Sequence, residues 1–262
     1  MNQMKKLQAE LQAALEAARE AGKEIMDVYQ RDFQVDYKSD KSPLTEADLR
    51  ADGKIIDILS SAFPSYPILT EETVDDFQAN EHSWCWIVDP VDGTKEFIKK
   101  NDEFTVNIAL TYEKIIVLGV VYAPVFDEMY FAVDGHGAYL QLGNQEPEQI
   151  WVSDRVDQLR VLQSRSHQSK RCQDYVDRNL DRIETVTAMG SSLKGCRIAK
   201  GDYEVYYNCG RTMIWDTAAM EVIITEAGGI LRQLTELDIV YDLKKLANDQ
   251  GFYILNDMRN KL

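Results

Sequence analysis

Residues 86–97 read WIVDPVDGTKEF, an apolar run that opens like a buried strand and closes on two aspartates, a proline, a glycine and a threonine. Pro90 and Gly93 make a turn, where an aspartate ordinarily accepts local backbone hydrogen bonds. An EF-hand loop does not fit: it needs acceptors at alternating positions followed by glycine at the sixth, whereas Asp89 and Asp92 are three apart with Gly93 next. Two carboxylates at i and i+3 around a tight turn can instead converge on one hard cation or bridge two, with the Val91 carbonyl beside them. Oxygen ligands without His or Cys suit magnesium, which at such sites usually serves phosphate chemistry. Gly93 and Thr94 then open the next segment with free N–H groups, and if KEFIKK is helical its N-terminus offers a phosphate cradle.

Working outward, Leu7, Leu11, Ala14, Ala18, Ile25 and Tyr29 recur at helical spacing and predict a long amphipathic first helix. After KSDKSPLT, the stretch EADLRADGKIIDILSSAF predicts a second helix, with Thr45 as its cap and Leu49, Ile55, Ile56 and Leu59 on the buried side. Ile68 and Leu69 form a short strand ending at Glu71 and Glu72, and CWIVD another ending at Asp89, so both deliver carboxylates at one end. FTVNIALTYE, IIVLGVVYAP, EMYFAV and GAYLQL continue as an antiparallel meander to about residue 142. Past the polar NQEPEQ the texture alternates: strand RVLQS, helix around CQDYVDRNL, strand ETVTAM, helix SLKGCRIAKG, strand YEVYYN, helix WDTAAMEVIITEAGG, and a last strand GFYILN. This divides the chain into an α+β half, 1–150, and an α/β half, 151–262. Asp48 in a first helical turn, Glu71 with Glu72, and Asp216 at a helix start are the acidic residues able to join Asp89 and Asp92.

Composition restricts the partners. The 262 residues are 45% hydrophobic, enough for a substantial core, and carry 29 basic against 44 acidic side chains, a formal charge of -15. That balance opposes polyphosphate backbones and anionic membranes, so no nucleic-acid polymer and no strong membrane association are expected. The opening MNQMKKLQAELQAALEAAREAGKEIMDVYQ lacks the continuous apolar core of a signal peptide or membrane span, so a cytoplasmic location is expected. Cys85, Cys172, Cys196 and Cys209 lie far apart without a CxxC, and read as reduced packing thiols rather than a zinc site or disulfide scaffold.

Asp48, Glu71-Glu72, DPVDGT at 89–94 and WDTAA at 215–219, taken in order, resemble the lithium-sensitive, magnesium-dependent phosphomonoesterases of the inositol monophosphatase superfamily. KSPLTEAD, DGTKEFIKKNDEFTVNIAL, GVVYAPVFDEMY, SRSH at 164–167, GSSLK at 190–194 and IWDTAA are similar to its CysQ-type 3'(2'),5'-bisphosphate nucleotidases. The resemblance implies a layered α/β/α/β/α sugar-phosphatase fold and hydrolysis of adenosine 3',5'-bisphosphate to AMP, with an inositol or other sugar-phosphate phosphatase as the nearest enzyme alternative. A catalytically silent metal-binding interaction protein is a third reading. It further implies two to three Mg2+ ions, Glu71, Asp89 and the Val91 carbonyl holding one, Asp89, Asp92 and Asp216 a second, and a third sitting near Glu71. Asp48 would act as base through Thr94, the Gly93 and Thr94 amides would hold phosphoryl oxygens, and Glu72 would support from behind. His167, Ser191 and Lys194 match positions around the nucleotide and its non-reacting 5'-phosphate. Where relatives carry Tyr-Pro-Arg this chain has Tyr206-Tyr207-Asn208, and Asn208 lacks the charged fork that recognises phosphate. Either Arg211, three residues later, replaces it or the pocket accepts a substrate with a different remote charge, with Arg211 slightly favoured; the partner is a small phosphorylated substrate, with a homodimer left open.

Overall fold

The computed structural model describes residues 7–38, 43–78 and 84–262. The expectations for the opening six residues and for 39–42 within KSDKSPLT lie outside the described residues. Helix α1 (Gln8–Tyr29) buries Ala14, Ala17, Ala18, Ala21, Ile25 and Val28 along one stripe. Small side chains there let it lie close to α2 (Glu46–Ala62), which follows the short antiparallel pair β1 (Val35–Tyr37) and β2 (Pro43–Thr45). Thr45 caps α2 as expected: its side chain accepts from Ala47 N while Asp48 accepts from Thr45 N at 2.8 Å, a reciprocal capping box. Leu49 departs from expectation at 56% exposed. The buried stripe runs Ala47, Ala51, Ile55, Leu59, and Leu49 lies roughly 200° round the helix from Ala47, at about 100° per residue.

The large sheet contains β3 (Ile68–Thr70), β4 (Trp84–Asp92), β5 (Thr105–Tyr112), β6 (Ile115–Ala123), β7 (Glu128–Val133), β8 (Ala138–Leu142) and β9 (Glu148–Ile150), hydrogen-bonded in that order. Only β3 and β4 are parallel, so the meander is as read, extended by β9 within the segment taken as polar loop. Between Asp89 and Asp92 lies not a turn but a bulge. Asp89 opposes Asn107 and Asp92 opposes Thr105, three steps against two, and the short helix α3 (Thr94–Ile98) begins immediately after Gly93.

The second sheet, order β11-β10-β12-β16-β14, comprises β10 (Leu159–Ser164), β11 (Ile183–Met189), β12 (Val205–Asn208), β14 (Ile230–Gln233) and β16 (Phe252–Leu255). Its first three strands are parallel, and β16 is antiparallel to both of its neighbours. β13 (Thr212–Met213) and β15 (Ala247–Asn248) form a separate two-stranded ribbon. Helices α1 and α2 cover one face of the large sheet. Helix α4 (Lys170–Asp177) covers the outer face of the small sheet, and α5 (Leu193–Ala199) and α6 (Ile214–Glu226) fill the space between the sheets. Helix α6 is apolar nearly all round because sheets press on it from both sides. Layers therefore run α/β/α/β/α, as expected.

One thiol expectation is corrected. Cys172 on α4 and Cys209 after β12 form a disulfide with Cα atoms 6.0 Å apart, because the helix packs over the strand end. Cys85 and Cys196 are free and buried, as packing residues should be.

Candidate active site

Strand period places residues i and i+3 on opposite faces, so Asp89 and Asp92 should point apart. The extra residue of the bulge reverses this. Asn107 and Thr105 share a face of β5, and Asp89 and Asp92, paired opposite them, share it too. That face carries Cys85 and Ile87 and is the one α6 covers, which brings Asp216 in the first turn of α6 toward the aspartates.

Asp89 is only 2% exposed, and its carboxylate accepts from Val91 N at 3.1 Å. Burial pushes its pKa well up, and the charges of Glu71, Asp92, Asp216 and Glu72 add to the shift. Asp216 is raised likewise by desolvation and then by Asp92, against the pull of Met213 N, which donates to it at 2.7 Å. Asp92 accepts 2.6 Å bonds from the Ser192 amide and hydroxyl, and one from Asn107 Nδ2 at 3.1 Å. Glu71 and Glu72 each accept from Lys38 Nζ at 2.8 Å. Burial lifts Glu72 to about 7 although Lys38 opposes it.

The donor set fits a hard divalent cation: oxygen only, buried at Asp89 and half-buried at Glu71, Asp92 and Asp216, and so rich in like charge that the carboxylates oppose one another's ionisation. Among the described residues no three acidic, His or Cys side chains are gathered into a ready ligand cage. Each carboxylate rests on a protein donor instead, with Lys38 across the Glu71-Glu72 pair.

Thr94 is the first residue of α3, and its hydroxyl lies 3.3 Å from Asp48 Oδ1 and 3.2 Å from the Val91 carbonyl, so its single proton is shared between these acceptors. Asp48 is buried, and desolvation raises it to about 6 against the two hydrogen bonds from Thr45. Gly93 takes a left-handed φ of 98°, where a Cβ would stand 3.0 Å from the Glu103 carbonyl.

Of the residues expected around the substrate, Lys194 is 7% exposed, donates to the Ser191 carbonyl at 2.6 Å, and lies 5.1 Å from the Tyr206 ring centroid. Burial lowers its pKa, while Asp92, Glu96, Glu103 and Asp216 oppose that shift. His167 Nε2 meets Lys95 Nζ at 2.7 Å and is lowered by desolvation and then by that ammonium group. Ser191 adjoins Gly93, but Ser192 is the serine that touches an acidic candidate. Arg211 stands apart in an exposed pair with Asp249 at 3.4 Å, and Asn208 Oδ1 accepts from Gly210 N at 2.8 Å. Sequence reasoning passed over Lys38, Lys95, Asn107 and Ser192. All four stood inside quoted stretches, and only the tertiary packing could single them out.

Residues 6–256 match the Inositol monophosphatase family. The chain is 40% identical over 234 residues to the 3'(2'),5'-bisphosphate nucleotidase CysQ of Salmonella typhimurium, covering 88% of this chain and 93% of that one. Identity and coverage are the same for the CysQ of Escherichia coli K12. The crystal structure of CysQ from Bacteroides thetaiotaomicron, a bacterial member of the inositol monophosphatase family, is 35% identical with a TM-score of 0.81, covering 95% of this chain and 97% of that one. The matched span takes in both sheets and the stretch from Asp48 to Asp216, and the chain therefore belongs to the inositol monophosphatase family.

Proposed function

We propose that this chain is a metal-dependent phosphomonoesterase that removes the 3'-phosphate of adenosine 3',5'-bisphosphate, giving AMP and phosphate. The observation that carries this reading is its 40% identity, over most of both chains, to relatives named for that activity. The bulge that turns Asp89 and Asp92 toward Asp216 supports it chemically.

Glu71, Asp89 and the Val91 carbonyl would hold one magnesium ion and Asp89, Asp92 and Asp216 a second, with a third near Glu71. Bound there, magnesium supplies Lewis acidity to the attacking water and the departing ribose oxygen. Asp48 accepts from the Thr94 hydroxyl and so orients that oxygen to receive a proton from the water. A carboxyl held at about 6 remains mostly ionised at neutral pH yet is basic enough for the task. The Gly93 and Thr94 amides hold the phosphoryl oxygens, and Glu72 backs Glu71 through their shared Lys38. Ser191, Lys194 and His167 belong to the nucleotide side, so 1–150 supplies the base and most of the ligands while 151–262 adds Asp216 and most of the recognition; Arg211, expected there, is instead paired with Asp249 in solvent.

Phosphate release from adenosine 3',5'-bisphosphate and from inositol 1-phosphate, each with magnesium, with EDTA and with added lithium, tests the reading. Faster, magnesium-dependent and lithium-inhibited turnover of the bisphosphate is expected. A preference for inositol 1-phosphate would transfer the assignment to the sugar-phosphate alternative.

A further inference from the structure

Lys95 in α3 and Lys99 at its C-terminal cap lie one turn apart and engage successive residues of the loop after β10. Lys95 Nζ is 2.7 Å from His167 Nε2, and Lys99 Nζ donates to Ser166 Oγ at 3.1 Å. The chain has 44 acidic side chains against 29 basic ones, so a cation finds a carboxylate easily. Arg165, two residues before His167, is paired with Glu103 at 2.6 Å. Yet among the described residues Lys95, Lys99 and Lys194 form no ion pair, and the carboxylate of Glu96 is taken by the Ser166 hydroxyl. Lys95 and Lys99 thus meet only an imidazole and a hydroxyl, which leaves both ammonium groups able to take an anion as a stronger, charge-assisted partner. A Lys–His contact also leaves two nitrogens sharing one proton, whereas an anion would give each its own acceptor.

We propose that Lys95, with His167 and Lys99, forms the subsite for the second, non-reacting phosphate of the nucleotide, in place of the arginine this chain lacks. The proposal rests on the bisphosphate nucleotidase reading. Its ligand class is a phosphate monoester dianion carried at a distance from the reacting ester. Successive residues of a helix point about 100° apart. Thr94 accordingly faces Asp48 and the Val91 carbonyl, while Lys95 faces the loop at Ser166 and His167. The alternative cation, Arg211, is held in solvent by Asp249, and the position of the missing arginine is occupied by Asn208, an uncharged amide whose Oδ1 accepts from Gly210 N.

The test pairs binding with kinetics in the full chain. Without metal, Lys95→Met should weaken 5'-AMP binding by about tenfold or more and leave adenosine binding unchanged, as measured by calorimetry. With magnesium, kcat/KM for adenosine 3',5'-bisphosphate should fall about ten- to a hundredfold while 3'-AMP changes by less than about twofold, and Lys95→Arg should recover most of the loss. Equal losses for both substrates would assign Lys95 to the reacting phosphate and overturn the proposal. No loss with either, or the selective loss appearing in Arg211→Ala instead, would overturn it as well. Should the unaltered chain fail to hydrolyse the bisphosphate while Lys95→Met still weakens 5'-AMP alone, the nucleotidase reading falls and the phosphate subsite stands.

Discussion

Gly93 and Asp89 bear on stability in opposite ways at the candidate site. Gly93 holds φ at 98°, and a Cβ there would meet the Glu103 carbonyl at 3.0 Å and Ser191 Cβ at 3.3 Å. Gly93→Ala should therefore cost about 1–3 kcal/mol by thermal unfolding, and kcat should fall with it because Thr94 follows directly. A wild-type Tm with wild-type kcat would show that the left-handed turn is dispensable. Asp89 is buried among carboxylates that oppose its charge. Asp89→Asn should reduce turnover to background by removing a ligand proposed to be shared between two ions. In EDTA the same variant should be at least as stable as the parent, since a neutral amide removes the repulsion. Near-normal rates would place the chemistry elsewhere, and a metal-free variant less stable than the parent would contradict the electrostatic account.

Among the elements, α6 is the one on which the others depend, because its first turn carries Asp216 and its body fills the gap between the sheets. Its close approach to β6 is made possible by Gly119, where a Cβ would come within 2.3 Å of the Ala219 carbonyl and 2.6 Å of Val222 Cγ1. Backbone cannot yield as a flexible side chain can. Gly119→Ala should consequently cost about 1–3 kcal/mol through overpacking and, by tilting α6, should raise the magnesium concentration needed for half-maximal activity. A denaturant midpoint unchanged from the parent would refute the close-packing argument. The bulge in β4 acts at the same scale, since three regular steps without it would turn one of the two aspartates to the opposite face, into the core against α1 and α2.

For the whole molecule, the concentration of acid at one end of the sheets makes stability depend on pH and metal together. Burial and neighbouring carboxylates raise Asp48 to about 6 and Glu72 to about 7, and push Asp89 and Asp216 upward. A carboxyl with a raised folded pKa binds more protons folded than unfolded between its ordinary value and the raised one. Its stabilising contribution is complete below the ordinary value and is lost as pH rises through the folded one. The metal-free protein should lose stability from about pH 4 to about pH 7. Divalent cations neutralise the same groups, so magnesium should raise Tm more at about pH 7.5 than at about pH 5. Thermal unfolding in EDTA and in magnesium at both pH values checks this, and a larger gain at the lower pH would reverse the sign of the argument. Among the described residues no helix is long and apolar enough to cross a membrane.

What the sequence by itself determined was everything with a local cause. Helical spacing in α1, the Thr45 cap, the alternating strands of the second half and the acidic run before Gly93 are set by neighbours within a few residues, and each was legible. The layered fold was legible too, through motifs spread over nearly the whole chain. Tertiary structure alone decided the remainder. Three residues of β4 oppose two of β5, which joins Asp89 and Asp92 on one face and selects Ser192 and Asn107 as the supports of Asp92. Leu49 is exposed because the buried stripe of α2 is chosen by where the sheet lies, and Cys172 meets Cys209 because α4 crosses the end of β12. The physical reason is common to all of these: register and proximity between segments far apart in sequence arise from packing, and a one-dimensional pattern carries periodicity but not the pairing of one strand against the next.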